Sequence, residues 1–82
     1  MEIRVLYFAA VREALGSGET LSTQAATLGD LRSELIARGG AHAQALGRQQ
    51  PLRMALDQVL CEEATALRPG AEVAFFPPVT GG

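Results

Sequence analysis

The chain closes on the stretch EVAFFPPVTGG, residues 72–82. The apolar run from Val73 to Phe76 is typical of a buried strand, and two prolines follow it at once. Proline has no N–H to donate to a neighbouring strand and holds φ near −65°, so the strand must stop at Pro77. The sequence therefore predicts a folded domain over residues 1–76 and an extended tail over residues 77–82 that ends in Gly-Gly.

The predicted tail has the properties of an arm that carries its working group at the tip. Fully extended, residues 77–82 reach about 20 Å, at roughly 3.3 to 3.6 Å per residue. Glycine has no Cβ, so Gly81 and Gly82 can pass through an opening that any side chain would block. We expect the Gly82 carboxylate to be the reacting group, with Val79, Thr80 and Gly81 as the threading segment. A frayed end or a cloning remnant is the alternative.

The composition favours one small soluble domain. The 82 residues are 48% hydrophobic and 20% charged, which allows one modest core and no large active-site cleft. No apolar run approaches the roughly 18 residues that span a bilayer, and the chain enters a strand-like segment without a signal peptide. The net charge is −2, and the seven positive charges are scattered arginines that form no basic stripe. We therefore expect a cytoplasmic protein that binds neither membrane nor nucleic acid.

Few side chains are candidates for chemistry, since the chain has one cysteine, one histidine and one tyrosine. Cys61 lies in an apolar run and is interpreted as a small buried side chain. His42 has no second ligand at metal spacing, so it is interpreted as a surface or helix-capping residue, and no metal site is predicted. Glu62 and Glu63 are neighbours in sequence and are expected to be a solvated pair. The sequence does not predict an enzyme that acts alone.

The hydrophobic pattern predicts the element order β-β-α-β-β-β. Its strands and short helical pieces are expected at residues 2–9 (strand), 11–15 (helix), 19–23 (strand), 41–47 (helical turn), 52–56 and 58–61 (a hairpin around Asp57) and 73–76 (strand). The main helix begins at Thr27, because Thr27 and Asp30 have the spacing of a capping box, and it ends at Gly39 and Gly40. One face of this helix is apolar and carries Leu28, Leu31, Leu35 and Ile36.

The first and last strands are apolar on both faces. Ile3, Val5 and Tyr7 alternate with Arg4, Leu6 and Phe8, and a single amphipathic helix can cover only one of these two faces. A small domain hides its second apolar face against a partner, so we predict a partner surface formed by Phe8, Leu60 and Phe76. Alternation does not decide which face the helix covers. The alternative is that some of this trio lie under the segment 41–50.

The opening segments VLYFA (residues 5–9) and VRE (residues 11–13), together with the closing stretch, resemble the MoaD family, the small subunits of molybdopterin synthase. The resemblance runs from end to end. It implies an α+β, ubiquitin-like β-grasp fold with a mixed sheet, one main amphipathic helix and a flexible diglycine tail. The chain departs from the family at Asp57, where members often have asparagine. We expect the turn to be kept, while the partner contacts of that turn stay open.

The resemblance implies a sulfur carrier in molybdenum cofactor synthesis that holds no permanent cofactor. A MoeB-like adenylating enzyme would use ATP and magnesium to convert Gly82 to a glycyl adenylate, and a sulfur donor would replace the adenylate to give a thiocarboxylate (1-thioglycine). The tail would enter a MoaE-like large subunit and give its sulfur to cyclic pyranopterin monophosphate, inside a heterotetramer. By the same resemblance, Phe8, Arg12, Leu60 and Phe76 belong to the surface that docks both partners.

Other functions fit the same sequence features. A thiamine-type sulfur carrier shares the fold and the diglycine end, although such carriers are shorter and lack the Phe-Phe-Pro-Pro motif. A ubiquitin-like modifier would transfer its terminal acyl group to lysines of target proteins, and a binding module would not use the tail. Replacing Gly82 would abolish the carrier and modifier functions but spare the module.

Overall fold

The computed structural model of the chain describes residues 1–78. Its elements are, in order, β1 (Glu2–Tyr7), α1 (Ala9–Leu15), β2 (Gly18–Ser22), α2 (Leu28–Ile36), α3 (Gly40–Leu46), β3 (Arg53–Leu56), β4 (Val59–Cys61) and β5 (Glu72–Phe76). This order confirms the predicted α+β class, with most bounds shifted by one or two residues. Within the described range, every helix is too short or too polar to cross a membrane.

The five strands form one mixed sheet in the order β2-β1-β5-β3-β4. The central pair β1 and β5 is parallel, with Tyr7 opposite Phe75, and the other pairs are antiparallel. Because β1 and β5 run in the same direction, the carboxyl end of β5 lies beside the carboxyl end of β1. Pro77 therefore leaves the sheet next to Phe8.

The first strand is shorter than the sequence predicts. It was expected to continue to residue 9, but β1 ends at Tyr7 and α1 begins at Ala9. Phe8 keeps an extended backbone, and its N–H still donates to the Phe75 carbonyl at 3.2 Å. Ala9 then adopts a φ of 53°, in the left-handed region, which turns the chain out of the sheet.

The main helix confirms the predicted cap and apolar face. The Thr27 hydroxyl accepts a hydrogen bond from the Asp30 N–H at 3.1 Å, which satisfies one free donor of the first turn of α2. Leu28, Leu31 and Leu35 are fully buried, and Ile36 is half-buried against the same core. The helix ends before Gly39, and α3 occupies the segment that was predicted as a further helical turn.

The predicted hairpin around Asp57 is confirmed as a two-residue turn. Asp57 and Gln58 have φ values of 49° and 71°, the combination that joins two strands without splaying them. The Asp57 carboxylate accepts from the Glu72 N–H and from the Arg68 guanidinium, both at 2.9 Å. The aspartate thus keeps the turn, as expected, and also connects the hairpin to the start of β5.

All three helices pack on one face of the sheet. Their buried side chains join those of the strands in a single core, which contains Ile3, Val5, Tyr7, Val11, Leu28, Leu31, Leu35, Leu46, Met54, Leu56, Val73 and Phe75. This packing decides which face of β1 and β5 the helices cover, a question that the alternation of residues leaves open. The odd-numbered residues of β1 and β5 point to the helices, and the even-numbered residues point to the opposite face of the sheet.

Tyr7 occupies the centre of this core and is 1% exposed. Its ring stacks on Phe75 with the ring centroids 6.3 Å apart, and among residues 1–78 its hydroxyl has no hydrogen-bond partner. Burial, together with the negative charge of Glu19, raises the pKa of Tyr7 to about 12, although Arg38 opposes the shift. The neutral form of the phenol is therefore the one that the fold stabilises.

We predict that ionisation of Tyr7 destabilises the fold at alkaline pH. Because the folded pKa of about 12 exceeds the unfolded value of about 10, the contribution of Tyr7 to the free energy of unfolding is complete below pH 10 and is lost as the pH rises toward 12. The chain has one tyrosine and no tryptophan, so tyrosinate absorbance follows this group alone. Urea unfolding of the Tyr7→Phe variant is the control. An equal loss of stability in both proteins over this pH range would contradict the prediction.

Candidate docking face and tail root

The sheet face opposite the helices carries an apolar row across four strands. Strand register places Leu6 opposite Ala74, Ala74 opposite Ala55, and Ala55 opposite Leu60. Side chains directly opposite one another in a sheet lie on the same face, so these four form a continuous strip. None of the described helices covers it. We call this surface, with Phe8 and Phe76 at its end, the docking face.

The three apolar residues predicted as a partner surface all lie on this face. Leu60 is 58% exposed and Phe8 is 43% exposed, which are high values for large apolar side chains. Phe76 is half-buried and lies one step beyond Ala74 on the same side of β5. The segment 41–50 contains α3, which contacts α1 and α2 on the other side of the sheet. The alternative that part of the trio lies under this segment is therefore wrong for Phe8 and Leu60, the two exposed members.

The root of the tail lies at the aromatic end of the docking face. Pro77 follows Phe76 and lines a groove of about 310 Å³ whose walls come from α1, α3 and the segment 50–52. Arg12 is exposed at this end, and its backbone N–H donates to the Phe8 carbonyl at 3.3 Å. The predicted reacting and threading residues Gly82, Gly81, Thr80 and Val79 lie outside the described residues. Their functions stay predictions.

A buried arginine that no sequence pattern singles out holds the segment beside this groove. Arg32 on α2 is 3% exposed. Its guanidinium donates to the carbonyls of Leu46 and Gly47 at 2.7 Å and to that of Gln50 at 3.2 Å. The Leu46 carbonyl lies in the last turn of α3, where no later N–H of the helix reaches it, so the side chain acts as a cap supplied by another helix. The Gly47 carbonyl also accepts from the Gln50 N–H at 2.9 Å. Burial lowers the pKa of Arg32, which Glu63 partly opposes.

The Glu62 and Glu63 pair differs from the prediction. Glu62 is exposed as expected, but Glu63 is half-buried and accepts hydrogen bonds from Arg48 and, at 3.4 Å, from Arg32. Arg48 also donates to the Ser33 hydroxyl at 2.7 Å. Glu63 therefore neutralises two arginines that lie between α2 and the end of α3. Its position next to Glu62 in the sequence does not indicate these partners.

The other single candidates form no catalytic group among the described residues. Cys61 is half-buried against the core, and its thiol lies 3.9 Å from the Met54 carbonyl. His42 is half-buried on α3, and the polar neighbour of its ring is the Arg38 guanidinium at 3.5 Å. Among residues 1–78, the Cys61 thiol lies against a backbone carbonyl, and Glu19, the carboxylate in the neighbourhood of His42, is paired with Arg38.

The docking face contains residues that single-strand patterns did not reveal. Alternation along β1 placed Leu6 on the same side as Phe8, but Ala55 and Arg53 on β3 could not be assigned to that face without the register. Arg53 is exposed and lies opposite Phe76. Alternation along β3 is obscured because Met54, Ala55 and Leu56 are all buried. Only the pairing with β5 shows which of them faces the helices.

Known proteins resemble this chain over its whole length. The ThiS family pattern matches residues 5–82. The molybdopterin synthase sulfur carrier subunit of Escherichia coli (strain K12) is 42% identical over 81 residues, which cover 98% of this chain and 99% of that protein. Two solved structures cover 100% of both chains at 26% identity: a protein-protein complex of subunits 1 and 2 of the molybdopterin-converting factor from Helicobacter pylori 26695 (TM-score 0.71) and SAMP1 from Haloferax volcanii (TM-score 0.76).

The two structural matches extend over the whole chain and therefore include the mixed sheet and the three helices described above. They confirm the ubiquitin-like β-grasp fold that the sequence predicted. The chain therefore belongs to the ThiS/MoaD family.

Proposed function

We propose that this chain is the sulfur carrier subunit of molybdopterin synthase and has no catalytic activity of its own. The observation that carries the proposal is the 42% identity, over nearly the full length of both chains, to the Escherichia coli subunit with that name. The family pattern extends to residue 82, so it includes the diglycine end. The Helicobacter pylori complex of subunits 1 and 2 supports a MoaE-like large subunit as the partner.

The proposed chemistry takes place at Gly82. A MoeB-like enzyme with ATP and magnesium joins the Gly82 carboxylate to AMP and releases pyrophosphate. Sulfur at the oxidation level of sulfide then attacks the acyl carbon, the bond to AMP breaks, and a thiocarboxylate forms. A thiolate is the reactive form of sulfur, and a thiocarboxylate is ionised at neutral pH without a neighbouring base. This chemistry therefore requires neither Cys61 nor His42.

The position of the docking face supports this function. A partner that covers Leu60, Phe8 and Phe76 buries apolar surface, which is favourable at about 25 cal/mol per Å². The same contact brings the root of the tail, at Pro77, against the partner. Because Pro77 and Pro78 restrict the backbone and have no N–H to donate, the sheet does not continue beyond Phe76. The surface that binds the partner is thus also the surface from which the tail with Gly82 begins.

Intact-protein mass spectrometry tests the proposal. The chain is incubated with the adenylating enzyme of the same organism, ATP, magnesium and a sulfur donor, and a chain without Gly82 is the matched control. We expect a mass gain equal to the replacement of one oxygen by sulfur, and only when Gly82 is present. Addition of the large subunit and cyclic pyranopterin monophosphate should then remove this sulfur. No gain in mass with an active enzyme would contradict the carrier function.

A protein modifier is the second candidate, because the fold also matches SAMP1, small archaeal modifier protein 1, of Haloferax volcanii. A modifier and a carrier both require activation of Gly82. They differ in the acceptor, which is a lysine amine of a target protein for the modifier. Adducts on other proteins, with no transfer of sulfur to the pterin, would favour the modifier. Transfer to a thiazole precursor instead of the pterin would favour a thiamine-type carrier.

A further inference from the structure

The seven arginines divide into two groups in the part of the chain that the structure describes. Arg32, Arg38, Arg48 and Arg68 each form an ion pair with a carboxylate of the same chain. Arg4, Arg12 and Arg53 form none within residues 1–78, and all three are exposed. These three arginines are therefore the ones in this part of the chain whose charge is available to a carboxylate of another protein.

This set lies on or beside the docking face. Arg4 and Arg53 occupy strand positions that point away from the helices, and Arg12 lies in the first turn after Phe8. Their neighbours differ. Arg4 is opposite the carboxylate residue Glu72, whereas Arg53 is opposite Phe76 at the aromatic end. Arg53 lies between Phe76 of β5 and Glu62, which directly follows β4. Arg53 and Glu62 form no ion pair within residues 1–78.

The environment of Arg53 changes when the docking face is covered. Any partner that buries Phe76 also removes water from the adjacent guanidinium. A charge that loses its water without gaining a partner is costly, so an apolar surface alone does not suit this position. A carboxylate suits it well, because the guanidinium is planar and donates two parallel hydrogen bonds to such a group.

We propose that Arg53 is a specificity-determining residue of the docking face and pairs with a carboxylate of the large synthase subunit at the edge nearest the tail. The inference rests on the proposed function and adds the chemistry of the partner surface, which is apolar opposite Leu60 and acidic opposite Arg53. Arg12 adds positive charge at the same edge. A large subunit without an acidic residue there binds this chain less tightly.

Binding of purified chain variants to the large subunit of the same organism, measured by calorimetry, tests the inference. Arg53→Gln and Arg53→Glu are compared with Arg68→Gln, which removes the same charge from an exposed arginine that has its own partner, Asp57. At low salt we expect binding about threefold weaker for Arg53→Gln and at least tenfold weaker for Arg53→Glu, with Arg68→Gln within about twofold of the wild type. In 1 M salt, where charges are screened within about 3 Å, the differences should shrink.

The Glu62→Gln variant tests whether the carboxylate that pairs with Arg53 belongs to the large subunit or to Glu62 of the same chain. If Arg53 pairs with the large subunit, this variant binds as tightly as the wild type or more tightly. A loss equal to that of Arg53→Gln would show that Glu62 is the acceptor and overturn the inference. If the wild-type chain binds and both Arg53 variants bind with the same affinity, the inference alone is overturned. If the wild-type chain does not bind the large subunit, the proposed function and the inference are overturned together.

Discussion

Replacing Leu60 with glutamate is expected to weaken binding to the large synthase subunit by about a hundredfold or more. The side chain is 58% exposed in the free chain and ends the apolar row of the docking face. A large apolar side chain that a partner buries completely contributes about 2 to 4 kcal/mol, and each 1.4 kcal/mol changes the dissociation constant about tenfold. A buried carboxylate adds a desolvation cost. Calorimetric titration with the large subunit measures the effect.

The neighbouring residue provides the control for this prediction. Val59 is 66% exposed on the same short strand, but it is opposite Leu56, whose side chain belongs to the core. Val59→Glu therefore introduces the same charge on the other side of β4 and should leave binding nearly unchanged. Both variants should unfold within about 0.5 kcal/mol of the wild type, since each site is exposed. Equal losses of affinity would show that the docking face does not carry the interaction.

Replacing Arg32 with alanine is expected to lower the free energy of unfolding by about 3 kcal/mol. The substitution removes the donor of the buried Leu46 carbonyl and of the partly buried Gln50 carbonyl, and it leaves the Gly47 carbonyl with the Gln50 N–H alone. Each unsatisfied buried group costs about 1 to 3 kcal/mol before relaxation. For a domain of this size, 1 kcal/mol changes the melting temperature by about 4 to 8 °C. Thermal unfolding followed by circular dichroism should show a decrease of roughly 12 to 24 °C.

Two further variants show whether the donor geometry of Arg32 is responsible. Arg38→Ala also removes an arginine, but it breaks an exposed ion pair with Glu19, which is worth about 0 to 1 kcal/mol. Arg32→Lys keeps the charge and should still show about half of the loss expected for Arg32→Ala, because a single ammonium cannot reproduce the planar arrangement of guanidinium donors. Full stability of the lysine variant would show that charge, and not the fork of donors, holds the end of α3.

Local sequence signals predicted most of the elements. The Thr27 and Asp30 spacing placed the start of α2, Asp57 placed the hairpin, and Pro77 placed the end of β5. Each of these depends on residues within about four positions of one another, through a cap, a turn or a missing N–H. The end of β1 was misplaced because the left-handed φ of Ala9 has no signal in its side chain.

The sequence by itself also determined that β1 and β5 have two apolar faces, and hence that a second surface needs a cover. It could not assign the faces, because a period of two separates odd from even residues without saying which set meets the helices. Tertiary structure made that assignment by placing all three helices on the side of Val5 and Phe75.

Only the tertiary structure determined the environments of the charged residues. Arg32 and Arg53 have the same side chain, yet one is buried against carbonyls 14 to 18 residues away along the chain and the other is exposed beside Phe76. Local propensity is decided by the nearest few residues, whereas the partner of a charge depends on which distant segments the fold brings beside it.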